Sequence, residues 1–178
     1  RTAPAGPPAP VLTREQADAN PGAFLLVTAY GGASVAAMVP ATGVGNRLTW
    51  ISADNVTVTL EDGIIVSTRG FPRDLIASEL SGVREAIAAG GGNAQRVQEV
   101  INDNDQIERQ LLQCSIALEG SETVTILSKT TQTRRISETC TGQNVRLTNV
   151  YWVSGAGEIV RSTQAVAPET GFLQLDRP

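Results

Sequence analysis

The chain of 178 residues contains no histidine. That removes the side chain whose ordinary pKa lies nearest neutrality, and with it every Ser-His-Asp arrangement and most zinc sites. Catalysis would have to run on carboxylate, lysine or tyrosine chemistry. Aromatic residues make up only 4 %, so Trp50, Trp152, Tyr30 and Tyr151 each carry more weight than usual, first of all as core fillers. Cysteine occurs twice, at Cys114 and Cys140, far apart and without the CxxC spacing of a metal or redox site. There is no concentration of positive charge: 14 basic and 18 acidic residues give a net charge of −4 and are spread along the chain. A nucleic-acid partner is therefore disfavoured. A long apolar run is missing too. Ala19 to Asn46 carries no charge, but Pro21, Gly22, Gly31, Gly32, Pro40, Gly43 and Gly45 interrupt it, well short of the roughly 20 apolar residues a spanning helix needs.

What is present is a chain 41 % hydrophobic, long enough for one full core. We divide it into a Pro-rich tether with a short N-terminal segment, 1–22, and a single β-rich domain, 23–178. Arg1 to Pro10 has four prolines in ten residues; extended at about 3.1 Å per residue, it reaches roughly 30 Å. Thr13 to Asn20 reads as one or two helical turns, with Thr13 as N-cap and Gln16 as its capping-box partner.

From Ala23 the period is two. AFLLVTAY and SVAAMV flank Gly31-Gly32 as a first hairpin, and RLTWIS, VTVTL and IIVSTR follow, with Asp62-Gly63 a strong turn signal. Pro72 together with Leu75, Ile76, Leu80, Val83 and Ile87 predicts the main helix, stopped by Gly90-Gly91-Gly92. Asn93 to Gln113 reads as a hairpin turning at Asn102 to Asp105. Beyond it we expect QLLQCSIAL, ETVTILS and QTRRISET with turns at Glu119-Gly120-Ser121 and near Lys129 to Thr131, then NVRLTNVYWV. The small residues Ser154 to Gly157 turn that strand into EIVRSTQAVA, and Pro168 to Gly171 leads to a last strand, FLQL. The fold expected is mainly β: an antiparallel sandwich or open barrel of two strand meanders with one main helix between them.

Three stretches together resemble one family. The hairpin with Asn149, Tyr151-Trp152-Val153, Arg161-Ser162 and Gln164, the segment Asp62 to Phe71 with Asp74-Leu75, and Glu138-Thr139-Cys140 with Cys114 occur in the order found in the YjbF/GfcB-like outer-membrane capsule and exopolysaccharide lipoproteins. The resemblance runs from about Ala23 to Leu175. It departs at Val160, where an aromatic is usual, and at Ser154, where an acidic residue is usual. It implies a mature periplasmic domain held to the outer membrane by a lipidated cysteine upstream of Arg1. It also implies partners among polysaccharides or the export and assembly proteins of that membrane. Cys114 and Cys140 are expected to be bonded in that compartment. A flat meander would leave them too far apart. Either the sheet curls, or Thr139 to Asn144 folds back, which we prefer, or their strands are direct neighbours.

For binding, Tyr151 and Trp152 must face opposite sides of one strand, and an exposed aromatic beside Arg161 and Gln164 makes a platform for a saccharide or partner. Arg69 and Asp74, at the expected helix start, form a second candidate, against the plainer reading of a helix-end pair. The carboxylates Glu61, Asp62, Glu138 and Glu158 lie near turns or strand ends, but nothing selects a glycosidase pair. We expect no catalytic residues, metal or cofactor, and a binding or assembly role. The alternatives are a carbohydrate-active hydrolase on the same polymer or a pure scaffold subunit.

Overall fold

The computed structural model describes residues 10–178; the expected tether, apart from Pro10, lies outside them. Alternating apolar residues produce twelve strands: β1 (Leu25–Ala29), β2 (Ser34–Val44), β3 (Arg47–Ile51), β4 (Thr57–Glu61), β5 (Ile64–Arg69), β6 (Leu75–Ser81), β7 (Gly91–Ile101), β8 (Ile107–Ile126), β9 (Lys129–Gly142), β10 (Val145–Ser154), β11 (Ile159–Ala167) and β12 (Gly171–Asp176). All belong to one antiparallel sheet in the order β5-β4-β3-β2-β1-β12-β11-β10-β9-β8-β7-β6. The chain is thus two meanders joined where β1 pairs with β12. The sheet curls into a nearly closed barrel, with β5 and β6 meeting at a seam.

The seam is closed by side chains where a ladder is lacking. Leu75 N–H donates to Thr68 Oγ1 at 3.1 Å, and the Arg69 guanidinium donates to the carbonyls of Leu75 and Ile76 at 3.2 and 3.1 Å. Further along β5, Gln164 of β11 accepts from Ile65 N–H at 2.8 Å and donates to Gly63 O at 2.9 Å. One amide side chain thereby does for β5 what a neighbouring strand would do, which matters because an unpaired buried backbone group is costly.

Among the described residues two α-helices and a short 3-10 turn at Tyr30–Gly32 complete the fold. In α1 (Arg14–Ala19) the capping box between Thr13 and Gln16 is formed as its sequence predicts. The helix α2 (Val83–Ala89) plugs one end of the barrel, with Val83 and Ile87 packed among Ile64, Tyr151 and Val153. The main helix expected after Pro72 is corrected by this: Leu75 to Ser81 is strand, and only Val83 to Ala89 is helical. The reason is a register shift between Leu75 and Ala77. It moves the inward positions from Leu75 to Ser78 and Leu80, breaking the period of two so that the apolar spacing imitates a helix.

A second correction concerns β8, which runs unbroken for 20 residues. Glu119-Gly120-Ser121 is a bulge between Leu118 and Gly120 and not a turn, and the hairpin reverses at Leu127-Ser128. β8 and β9 are therefore direct neighbours, with Cys114 opposite Cys140 in the ladder. The disulfide forms across Cα atoms 4.0 Å apart, without the preferred fold-back. The bulge also bends the strand. Beyond it the β8–β9 arm lies over the outer face of the barrel, where Val124 and Ile126 pack with Leu26, Leu12 and Ala17.

Candidate functional site

Inside the barrel, polar residues occupy inward positions of strands whose neighbours are apolar. Along β7 the inward residues run Ala94, Arg96, Gln98, Val100, all buried. Arg96 forms a two-pronged pair with Glu138 of β9: Nε donates to Oε2 and Nη2 to Oε1, each at 2.8 Å. Glu138 also accepts from the Tyr151 hydroxyl at 2.8 Å and from Asn149 Nδ2 at 2.9 Å, and Arg96 Nη2 reaches the Tyr151 oxygen at 3.0 Å. Asn149 Oδ1 accepts from Ala165 N–H at 2.8 Å, linking the cluster to β11.

Burial by itself pushes the Glu138 carboxyl up, but Arg96 and the hydrogen bonds of Arg96, Asn149 and Tyr151 outweigh it and hold the group below its ordinary range. Burial, reinforced by the Glu138 charge, drives the Tyr151 phenol well above its ordinary value. Arg96 is raised as well, since its two partners outweigh its desolvation. The cluster is an ionised, fully engaged pair sealed from solvent. Cys114, Cys140 and Glu138 lie close together, but the sulfurs are bonded to each other and offer no thiolate.

The residues singled out from sequence do not share a surface. Tyr151 and Gln164 are inside, 0 % and 1 % exposed. Trp152 faces outward, opposite to Tyr151, but the β8–β9 arm reaches it: its indole N–H donates to Glu122 at 2.8 Å, and the Arg135 guanidinium stacks over the ring at 5.6 Å. Arg161 pairs with Asp176 at 2.5 Å and donates to Thr125 O of the same arm. Arg69 and Asp74 do not pair. Asp74 accepts from Thr68 Oγ1, Gly70 N–H and Phe71 N–H, shaping the turn between β5 and β6, while Arg69 closes the seam. No helix starts there. Sequence reasoning missed Arg96, and took Glu138 for a group near a strand end. The available signal was Ile136, Glu138, Cys140: a carboxylate in the inward slot of an alternating strand.

The open feature lies at the end of the barrel opposite α2. There the β7–β8 turn, the β9–β10 turn and the β11–β12 turn surround a groove of 830 Å³ floored by Val100 and Leu112, with Asn102, Gln110, Gln143 and Asn144 along it. A shallower recess of 290 Å³ shares Val100, Gln110, Asn144 and Val145 and extends the groove to Gln98 and Phe172. Leu111 and Phe172 are exposed at 57 % and 47 %. Gln98 donates to Gln110 at 2.9 Å and Gln110 to Glu108 at 3.0 Å, which orients these amides along the wall. The rim is braced by Arg73, which pairs with Asp105 and Glu169 and whose backbone brackets the Thr170 hydroxyl. Side-chain amides offer donors and acceptors together, the complement of a sugar hydroxyl, and apolar side chains between them suit the C–H faces of a ring.

The model of the family described as group 4 capsule polysaccharide lipoprotein GfcB, YjbF matches residues 2–177. No curated protein matches the chain. Among solved structures, the hypothetical lipoprotein YmcC from Escherichia coli (K12) superposes with a TM-score of 0.82 over 93 % of this chain and 88 % of its own, at 18 % identity, and so shares the fold.

Proposed function

Because the chain belongs to the YjbF family of group 4 capsule polysaccharide lipoproteins, we propose that it is a non-enzymatic component of capsule or exopolysaccharide production that binds the polymer. It works in the periplasm, from a lipid anchor in the outer membrane, and the groove at the open end of the barrel is its binding surface. The observation that carries this is the groove's lining: five amide side chains and exposed Leu111 and Phe172 along one continuous channel.

The hydrolase alternative needs a carboxyl group raised to act as general acid. The deeply buried carboxylate, Glu138, is held low and is fully engaged by Arg96, Tyr151 and Asn149. Titration calorimetry of the domain with capsule polysaccharide from its own organism tests the proposal. Saturable binding, weakened at least tenfold in a Gln110→Ala, Phe172→Ser variant of unchanged thermal stability, is the expected result. Absence of binding, or release of reducing ends during incubation, would sink it.

A further inference from the structure

The groove at the barrel mouth is not electrically uniform. Toward the β7–β8 turn its charged lining is Asp103, Glu108 and Arg109, and Arg109 stands directly opposite Glu99 in the β7–β8 ladder. Carboxylates outnumber the cation there. The recess beside Phe172 is different: among the described residues, the one charged side chain that lines it is Arg146, near the start of β10. Arg146 is exposed, and no described carboxylate pairs with it. Its ladder partner on β9 is Thr141, and the β11 residues along the same recess are Ala165, Val166 and Ala167. The carboxylate of the β11–β12 turn, Glu169, is drawn away to Arg73 at 3.2 Å.

We propose that the groove recognises a polysaccharide carrying uronic acid residues, with Arg146 taking the carboxylate and Phe172 the face of the ring that bears it. The inference rests on the binding role proposed above and names the sugar class for the same groove. An exposed guanidinium ordinarily gains little from a single opposite charge. In the recess it is flanked by Val145, Leu147 and Phe172, apolar groups that thin the water around it, and a planar carboxylate meets the guanidinium fork through two parallel hydrogen bonds. A carboxylate carried on the sugar ring itself stays within one residue of the face that stacks on an aromatic side chain. Gln98, Gln110 and Asn144 then serve the neighbouring hydroxyl groups. Toward the β7–β8 turn, Asp103 and Glu108 oppose a second carboxylate, so the acidic residue has one place along the channel. A polymer in which acidic sugars are interspersed with neutral ones fits this pattern; one that is acidic at every residue does not.

The test is calorimetry with two forms of the capsule polysaccharide from the protein's own organism: native, and with its carboxyl groups reduced to primary alcohols. The parent should bind the native form about fivefold tighter at low ionic strength, where a single exposed charge is least screened. Arg146→Gln should bind the native form no more tightly than the parent binds the reduced one, with thermal unfolding unchanged because the side chain is exposed. Equal binding of the two forms by the parent, or an undiminished preference in Arg146→Gln, overturns the proposal and leaves the polysaccharide-binding role standing. Absence of binding to either form removes that role, and this inference with it.

Discussion

The interior of the barrel and its mouth use the same kinds of side chain to opposite ends. Arg96, Glu138, Asn149, Tyr151 and Gln164 are buried, and their hydrogen bonds run to one another, to the backbone or, from Gln164, to the buried Ser162 hydroxyl. Gln143, Asn144, Leu111 and Phe172 remain in contact with water. A buried polar group costs heavily unless satisfied, so inside the barrel polarity fixes the arrangement of strands. At the mouth the same chemistry is left available for a partner. Polar residues therefore locate a binding surface only once their partners are known.

The sharpest way to break this contrast is Glu138→Gln. It removes the charge opposite Arg96 and should destabilise the protein by about 3–5 kcal/mol in urea unfolding, since it strands a buried cation. The pH dependence follows from the same group. Its folded pKa lies below the ordinary 4.5, so its contribution to stability is fully present above about that value and is lost as pH falls below it toward the folded value. A variant as stable as the parent, with the parent's acid profile, would remove the network from the account of the fold.

Next in size is the disulfide. Replacing Cys114 and Cys140 together by alanine should cost about 3 kcal/mol in the same assay, from the freedom returned to the unfolded loop; an unchanged midpoint would mean that the ladder alone holds β8 to β9. Smaller again is Gly142→Ala, on the strand that borders the groove. A Cβ there would come within 2.7 Å of both Leu111 O and Leu112 Cδ2, and yielding to it should cost roughly 1–3 kcal/mol. Unfolding indistinguishable from the parent would show that this rim is plastic. Smallest are the groove substitutions Gln110→Ala and Phe172→Ser, whose effect on stability should stay within about 0.5 kcal/mol even as binding falls. A large loss of stability would make the mouth structural like the interior.

Much of this barrel is legible in the sequence because most strands keep their alternation and most turns keep their Gly, Asn or Asp. Asp62-Gly63, Asn102 to Asp105 and Ser154 to Gly157 all turn where expected. The departures share one cause. At Leu75–Ala77 and at Leu118–Gly120 a bulge shifts the register; the first resembles a helix face and the second a turn. Which residues converge was less accessible. Arg96 meets Glu138 across 42 positions and Gln164 meets Ile65 across 99, the first brought together across β8 by strand pairing and the second by closure of the sheet. Trp152 and Arg161 do lie on one outer face, but the long β8–β9 arm covers them, and its bend depends on a bulge that the local residues do not announce.

The bond between Gln164 and Ile65 has a consequence for how the barrel forms and opens. Ladder pairing can advance strand by strand through neighbours, whereas this contact needs both meanders in place, because it joins residues 99 positions apart. Contacts of such separation are slow to form, since loop-closure entropy is lost before they are gained. Closure of β5 onto β11 is then a late event in folding, and by reversal the seam is where the barrel parts first. The Ile65 amide, protected by one side chain and not by a strand, reports that opening: its hydrogen exchange follows a partial unfolding that leaves the β7 to β10 ladders protected.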